Sequence, residues 1–273
     1  MMAKPSSRLC HRSFSLKHKF GLSLALLWLA IALCYSGLLP LANLVSLTLM
    51  GTGLAALSLT PTTSHLSRLL FAALWAGCVL LGFFTAIFRP AGFHYPLVYD
   101  YSELDFSLFA NLGKALAGYL TLLWLWSAGA KRPLPVALGL SLVFALAVIA
   151  TAHFIFDLAA QPKWPAAALV FIFCNLAIAV LAEEAFFRLL LQRQLEKLFP
   201  QRCGATWLAL GISAAVFALA HAPPSHPAFA LFLFAGGCYA LVYTLTRRFS
   251  AALLTHWSVN VLHFTLLEYP LGF

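Results

Sequence analysis

Two adjacent glutamates, Glu183 and Glu184, lie within a long apolar stretch, and Arg188 follows four residues after the second. Ionisable side chains inside a membrane span usually face an interior cavity and serve a function, because burying them in lipid is costly. On a helix, Glu184 and Arg188 share a face and can form an ion pair, which favours the ionised carboxylate. Glu183 points about 100° away and has no such partner on its own helix. The spacing predicts a structural Glu184 and a Glu183 that acts as a general base; a buried salt bridge with a solvated second glutamate is the alternative.

Two further polar motifs follow in the chain. His221 ends an apolar run and stands four residues after Phe217, while His256 and Asn260 are also four apart and share a helix face. An imidazole and an amide can stabilise an oxyanion, and a neutral imidazole can also ligate zinc. Taken singly, His221 could be a polar helix end, and His256 with Asn260 an interhelical hydrogen-bond pair. Together with the glutamates, these motifs supply an acid or base, a histidine and a His/Asn pair on separate helices.

A serine near the second motif suggests a rival chemistry. Gly211-Ile-Ser213 is faintly similar to the serine turn of rhomboid intramembrane proteases, and Ser213 with His256 would then form a catalytic dyad. However, alanine follows the serine where that turn needs glycine, and the two glutamates would have no role. We therefore expect Ser213 to be a small residue at a close contact between helices.

Other polar residues in the apolar stretches have simpler interpretations. Asn175 lies two turns before the glutamates and would line the same cavity or bond a neighbouring helix. His263 would either support the site or face the lumen, and Lys114 would extend its ammonium group toward the membrane interface. His153 and Asp157 would form the polar end of a helix.

The composition identifies the class of protein that holds these motifs. The chain is 62% hydrophobic and 9% charged, whereas soluble domains have roughly 25% charged residues. A membrane-spanning helix needs about 20 apolar residues, and continuously apolar runs exclude the alternating pattern of a transmembrane barrel. We therefore predict an all-α polytopic transmembrane helix bundle with about eight to nine spans. The candidate spans are 21–39, 41–60, 66–88, 107–130, 136–156, 166–190, 204–221, 227–246 and 249–268.

The formal net charge of +9 indicates topology and not a nucleic-acid partner. If the N-terminus is cytoplasmic, thirteen basic residues fall on the inner side, against Arg89 and Lys163 on the outer side. This asymmetry follows the positive-inside rule and predicts a multi-pass protein of a bacterial inner membrane with its N-terminus in the cytoplasm. The six cysteines are scattered without a Cys-x-x-Cys motif, so they indicate apolar packing residues.

The chain divides into three parts by character. Residues 1–20 form a basic cytoplasmic N-terminus, 21–165 hold the N-terminal transmembrane helices, and 166–273 carry the catalytic motifs. The outer loop 89–106 is rich in aromatic residues, which suits an interfacial position. The segment after Arg188 is amphipathic and basic, which predicts a helix along the inner interface. This topology places His221 at the outer side and the glutamates at the inner side, so a shared site requires a short seventh helix or a deeper sixth.

In combination, the three motifs resemble those of the CPBP intramembrane proteases, which include the type II CAAX prenyl endopeptidases and bacteriocin-processing or immunity proteins. The family patterns Glu-Glu-x-x-x-Arg, Phe-x-x-x-His and His-x-x-x-Asn all match, over roughly residues 166–268. The resemblance implies that Glu183 activates a water, His221 orients it, and His256 with Asn260 stabilises the oxyanion. Other motif residues, Glu184, Arg188 and Phe217, would hold the site together.

The resemblance also implies an enzyme, an intramembrane protease that hydrolyses a peptide bond in a membrane-associated or C-terminally targeted peptide or membrane protein. No cofactor is favoured, because the chain lacks a His-Glu-x-x-His motif. Zinc is the alternative, with His221, His256 and Glu183 as its ligands. Two other functions fit the same motifs: a non-catalytic membrane immunity or scaffold protein of this fold, and a proton-coupled transporter. A transporter needs a polar path across several helices, which the first five spans hardly provide.

Overall fold

The structure, a computed structural model, describes residues 15–126, 132–199 and 204–271. Within these ranges the chain forms nine continuous helical segments, which match the nine candidate spans one by one and confirm the all-α polytopic bundle. In lipid, each backbone group needs an internal hydrogen-bond partner, and helices supply one. The helices are α1 Leu16–Tyr35, α2 Leu41–Leu59, α3 His65–Ile87, α4 Leu112–Leu125, α5 Leu134–Phe154, α6 Ala168–Leu198, α7 Ala205–His221, α8 Ala228–Thr246 and α9 Phe249–Leu266.

In the described part of the chain, six helices (α1, α2, α3, α5, α6 and α8) are long and apolar enough to cross a membrane, judged by length and composition. Two others, α4 and α7, are apolar but shorter. Most of the predicted basic N-terminus, up to residue 14, lies outside the described residues, as do Lys131, Arg202, Cys10 and Cys203.

The fourth span and the outer loop differ from the prediction. Helix α4 was expected over 107–130 but begins at Leu112, where the side chain of Asn111 accepts a hydrogen bond from the backbone of Lys114 and caps the helix. The preceding residues form an antiparallel hairpin of β1 (Leu97–Tyr101) and β2 (Phe106–Phe109). Neither strand shows a regular alternation of buried and exposed residues that the sequence could have revealed.

The hairpin end of the bundle is held by specific hydrogen bonds. The buried Tyr101 hydroxyl donates to the carbonyl of Ala167 (2.9 Å) and accepts from the backbone of Phe171 (3.0 Å) at the start of α6. The backbone N–H of Gln161, after α5, donates to the carbonyl of Leu266 at the end of α9 (2.8 Å). The starts and ends of these helices therefore lie together at one end of the bundle.

The opposite end gathers basic residues. The Lys19 ammonium on α1 donates to the carbonyl of Trp124 on α4 (3.3 Å), and Arg193 on α6 donates to the carbonyl of Leu125 (3.1 Å). Successive loops therefore alternate between the two ends, as the distribution of basic residues predicted.

Helix α6 runs through the bundle for 31 residues. It widens to π-helical turns over Asn175–Val180 and Ala185–Gln192, and the single ordinary turn between them, Leu181–Glu184, carries both glutamates. The segment predicted as an interfacial helix continues α6 without a break to Leu198, and although Lys197 is exposed, Arg188 and Gln192 are fully buried. Their polar groups face partners on neighbouring helices and not the membrane surface.

Candidate active site

Glu183 lies at the meeting point of three helices besides its own. One carboxylate oxygen, Oε1, lies 2.8 Å from the ammonium nitrogen of Lys114 on α4. The other, Oε2, lies 3.6 Å from Nε2 of His221 on α7 and 3.7 Å from Nε2 of His256 on α9. The predicted convergence of Glu183, His221 and His256, with both imidazoles within one water of the carboxylate, is confirmed.

The expectation for Lys114 was wrong. Its side chain was predicted to extend toward the membrane interface, but the ammonium group pairs with Glu183 in the bundle interior. Glu183 therefore has an ionic partner after all, on another helix and 69 positions away in the chain. A lone lysine in an apolar stretch carried no signal of this pairing in the sequence.

Glu184 is sealed inside the bundle. It is 0% exposed and accepts hydrogen bonds from Nε of Arg188 and from Nδ1 of His256, each at 2.9 Å. The predicted ion pair between Glu184 and Arg188 is confirmed. The Glu183 side chain, in contrast, is 15% exposed. The two neighbours therefore differ in access as the helix phase predicted, with one buried in a network and one facing open space.

Arg188 ties this network to the neighbouring helices. Its Nη1 group donates to Gln192 (3.0 Å) and to the hydroxyl of Ser213 on α7 (3.2 Å). Gln192 in turn donates to Thr244 on α8 (2.8 Å). The Ser213 hydroxyl also donates to the carbonyl of Phe187 (3.2 Å). Ser213 is thus a buried contact residue between α6 and α7, as predicted, and it supports Arg188.

The rival serine dyad does not form. Both ring nitrogens of His256 face glutamates, Nδ1 toward Glu184 and Nε2 toward Glu183. Ser213 bonds Arg188 and a backbone carbonyl.

His221 reaches the site because α7 is short. Its 17 residues span about 26 Å at 1.5 Å per residue, less than the roughly 30 Å hydrocarbon core. The conflict in the predicted topology is resolved by contact: Nε2 of His221 lies 3.6 Å from Glu183, although the end of α7 from Leu219 to His221 is exposed. The His221 ring stacks on Phe217, with centroids 4.3 Å apart, and Nδ1 lies 2.7 Å from the Phe217 carbonyl.

These contacts assign the ring protons of both histidines. A carbonyl oxygen can only accept, so Nδ1 of His221 must donate to Phe217. Nδ1 of His256 likewise donates to Glu184, which Arg188 keeps ionised. In neutral imidazoles, both Nε2 atoms then carry a lone pair. Three acceptor atoms thus converge: Oε2 of Glu183 and the two Nε2 atoms.

Asn260 and Asn175 form a second polar contact near the site. Nδ2 of Asn260 donates to Oδ1 of Asn175 (3.2 Å), which lies at the start of the first π-helical segment. Both side chains line the cavity that reaches Glu183, as was suggested for Asn175. Tyr239 lines it as well, and its ring stacks on His256 with centroids 4.5 Å apart. The sequence motifs contained no indication of Tyr239.

Two cavities meet at Glu183 and His221, which line both. The α4 cavity, about 310 Å³, lies among α2, α3, α4 and α6, and its lining includes Met50, Phe83, Ile87, Lys114 and Phe186. The α9 cavity, about 190 Å³, lies among α5 to α9, and its lining includes Tyr239, His256, Asn260 and His263. The carboxylate therefore sits between a mostly apolar chamber and a more polar one.

The remaining sequence candidates lie away from Glu183. His153, near the end of α5, has Nδ1 2.8 Å from the carbonyl of Leu158. His153 thus lies in the last turn of α5, at a polar helix end as expected, and Asp157 follows beyond that end with a φ of 54°. Nε2 of His263 lies 3.0 Å from the carbonyl of Glu268. In the described ranges, no group of three or more His, Cys, Asp or Glu side chains has the arrangement of a metal site.

Fold and site together define a membrane-embedded helical protein with a carboxylate–imidazole centre of the kind that activates water. Residues 164–262 match the family model described as type II CAAX prenyl endopeptidase Rce1-like. This segment is therefore similar to the type II CAAX prenyl endopeptidases, in agreement with the resemblance of its three motifs to the CPBP and CAAX proteases. No curated protein and no solved structure matches the chain. The matched segment holds every motif residue, whereas Lys114 lies outside it.

Proposed function

We propose that this protein is an intramembrane endopeptidase that hydrolyses a peptide bond with a water activated by Glu183. The observation that carries this proposal is the convergence of one Glu183 oxygen and two imidazole nitrogens, 3.6 and 3.7 Å away, in the bundle interior. These separations are too long for direct hydrogen bonds and suit one bridging water. A water placed there donates to acceptors on two sides and is held ready for attack.

The proposed reaction moves one proton twice. Glu183 takes a proton from the water as its oxygen attacks the carbonyl carbon of the scissile peptide bond. The Nδ2 amide of Asn260 can donate a hydrogen bond to the resulting oxyanion, His256 can do so from Nε2 only when its ring is doubly protonated, and His221 orients the water. Glu183 then returns the proton to the amide nitrogen as the C–N bond breaks. The products are a carboxylic acid and an amine, and the acid then releases its proton to solvent to become a carboxylate.

Glu184 and Arg188 serve this chemistry without contacting the substrate. The Glu184 carboxylate fixes the tautomer and orientation of His256 through Nδ1. Arg188 balances the charge of Glu184 and anchors it to Ser213 and Gln192. Phe217 holds His221 through ring stacking and its carbonyl.

The α4 cavity supports a membrane-associated substrate. Its lining is mostly apolar, including Met50, Phe83, Ile87 and Phe186, and it ends at Glu183. An apolar segment or a lipid-modified residue of a peptide would be buried favourably there. The substrate class we propose is a membrane-associated or C-terminally targeted peptide or membrane-protein tail, and the family name points to prenylated proteins.

The site favours a metal-free glutamate mechanism over a zinc mechanism. A zinc ion held by Glu183, His221 and His256 would place two positive charges near the Lys114 ammonium, which lies 2.8 Å from the same carboxylate. Lys114 already neutralises Glu183, so the gain from a metal is smaller. The two Nδ1 contacts are nonetheless of the kind that orient metal-bound histidines, so zinc needs a direct test.

A Glu183→Gln variant tests the mechanism. Glutamine keeps the size of the side chain but cannot take a proton at pH 7, so we expect cleavage of a lipid-modified peptide in proteoliposomes to fall at least about 100-fold. The control is Glu103→Gln, an exposed carboxylate in the hairpin loop, which should leave cleavage unchanged. Full cleavage by a monodisperse Glu183→Gln protein would disprove the glutamate mechanism.

Elemental analysis and chelation separate the two versions of the mechanism. We expect purified protein to contain much less than one zinc per chain and to keep its activity after chelator treatment. Stoichiometric zinc, with activity lost on chelation and restored by added zinc, would assign Glu183, His221 and His256 as ligands instead.

A further inference from the structure

We infer that Lys114 is a positioning residue of this active site, supplied by a helix outside the segment that carries the catalytic motifs. The inference rests on the proposed function of Glu183. Helix α4 lies before residue 164, where the family match begins. Lys114 nevertheless makes the shortest contact to Glu183, 2.8 Å from its Nζ to Oε1.

The packing of α4 brings the ammonium group to this position. A Cβ atom on Gly118 would lie 2.3 Å from Cα of Ala182, so only glycine allows α4 to approach α6 this closely. Lys114 stands one turn before Gly118 on the same face, and Glu183 follows Ala182. The close contact between α4 and α6 therefore places Lys114 next to Glu183.

The start of α4 is also fixed. The Asn111 side chain accepts from the backbone of Lys114 (2.9 Å) and donates to the carbonyl of Ala86 on α3 (2.8 Å). The lysine backbone is therefore anchored at both sides, by the cap and by the glycine contact.

Lys114 balances the charge of the site. Glu184 is paired with Arg188, and Glu183 is paired with Lys114, so two carboxylates meet two cations. Without Lys114, Glu183 would be an uncompensated charge beside a second carboxylate in a low-dielectric interior, which strongly disfavours its ionised form. An ionised Glu183 is what a general base requires.

Lys114 also distinguishes the two oxygens of Glu183. It binds Oε1 and leaves Oε2 directed at the two imidazoles. Without it, the carboxylate can rotate and lose this direction. Misplacement of a catalytic group by about 1 Å can reduce the rate about 100-fold. Lys114 therefore acts on the chemical step through Glu183.

Cleavage kinetics of full-length variants in proteoliposomes test this role. For Lys114→Met, which keeps the apolar stem and removes the charge, we expect kcat to fall about 100-fold with KM changed less than about threefold. Lys114→Arg retains the cation and should recover at least part of kcat. The matched control is Lys19→Met, because Lys19 also contacts α4, at the carbonyl of Trp124. Its kcat should remain that of the wild type.

Three kinetic results would overturn the inference: wild-type kcat in Lys114→Met, an equal loss in Lys19→Met, or an effect confined to KM. A purely structural lysine predicts that Arg and Met variants lose activity only in proportion to their folded fraction. Size-exclusion profiles and thermal unfolding measure that fraction independently.

Unfolding separates this inference from the proposed function. We expect Lys114→Met to lower the melting temperature and the double variant Lys114→Met/Glu183→Gln to lower it less, since the unpaired carboxylate is removed. Additive effects of the two changes would refute the pairing. If the wild-type protein cleaves no substrate, the proposed function fails, while non-additive unfolding still shows that Lys114 sets the charge environment of Glu183.

Discussion

At the level of single residues, the site depends on which atoms the two glutamates face. Glu184 directs its oxygens to Arg188 and His256, and Glu183 directs one oxygen to Lys114 and the other to two imidazoles. Neighbours in the chain thus have different surroundings because successive helical residues point in different directions. This difference in surroundings underlies the separate roles that we propose for the two carboxylates.

Removing Arg188 should cost far more stability than removing an arginine at the end of the bundle. Arg188→Met leaves the fully buried Glu184 without its cation, which we expect to lower the unfolding free energy by about 3 to 5 kcal/mol. Denaturant unfolding in micelles measures this loss. The control is Arg247→Met, which breaks the partly exposed pair with Glu196 and should cost clearly less. Equal losses in the two variants would contradict the buried-pair argument.

Replacing both members of the buried pair should recover part of the stability. In Glu184→Gln/Arg188→Met, no charge is left unpaired, and the introduced amide oxygen can still accept from Nδ1 of His256. We expect this double variant to be more stable than Arg188→Met alone. Cleavage should remain low in both variants, because His256 no longer donates a charged hydrogen bond to an anchored carboxylate. A double variant that is less stable than the single one would exclude this account.

Some of these contacts could be predicted from the sequence, whereas others could not. The Glu184–Arg188 pair follows from four-residue spacing on one helix, and Phe217 with His221 follows in the same way. Lys114 joins Glu183 across 69 positions, a distance that depends on how two helices pack. Local periodicity contains no information on that packing, so the most direct partner of Glu183 could not be identified.

At the level of elements, the depth of the site depends on helix lengths and on close contacts. The spans were located correctly, but α4 and α7 proved short and α6 long. Apolar composition marks where a helix can lie, whereas its ends depend on caps such as Asn111 and on neighbours that satisfy polar groups. The π-helical turns that flank the glutamates were likewise beyond prediction. Such turns are often found at functional sites.

Helix α8 packs against the histidine-bearing part of the site at Gly236, and the adjacent Gly237 provides a control. A Cβ atom on Gly236 would lie 2.8 Å from Cδ1 of Phe217, whereas one on Gly237 meets nothing within 4 Å. We expect Gly236→Ala to displace Phe217, which contacts both His221 and His256. Overpacking of this kind costs about 1 to 3 kcal/mol, and cleavage should fall with it.

Gly237→Ala should instead raise the free energy of unfolding. Alanine is favoured over glycine in a helix by up to about 1 kcal/mol, and here it causes no clash. Thermal unfolding and cleavage assays on the two variants compare adjacent positions of one helix. Similar behaviour of both would show that the α7–α8 contact does not position the histidines.

At the level of the whole molecule, the site joins both halves of the chain. The family match covers residues 164–262, yet α4 from the first half packs on α6 and supplies Lys114. Residues of the candidate site therefore lie on both sides of the predicted division at 165. Those helices also enclose the α4 cavity, where an apolar substrate segment would lie.

We expect the orientation of the bundle in the membrane to follow the distribution of charge between its two ends. Basic side chains such as Lys19 and Arg193 gather at the end where α1 begins and α6 finishes, and positively charged loops remain cytoplasmic. We expect alkaline phosphatase fused after Thr62, between α2 and α3, to be inactive in bacterial cells. Fusion after Gln161, between α5 and α6, should be active. Green fluorescent protein at the same positions should give the reverse pattern.

The two reporters control each other, since phosphatase folds only outside the cytoplasm and the fluorescent protein only inside. A fully reversed pattern would place the basic end outside and overturn the charge argument. Equal signals at both positions would contradict the alternation of loops in the bundle. The expected pattern would place the β1–β2 hairpin and the end of α7 that carries His221 toward the outer leaflet. A substrate segment would then reach Glu183 either from within the membrane or from its outer surface.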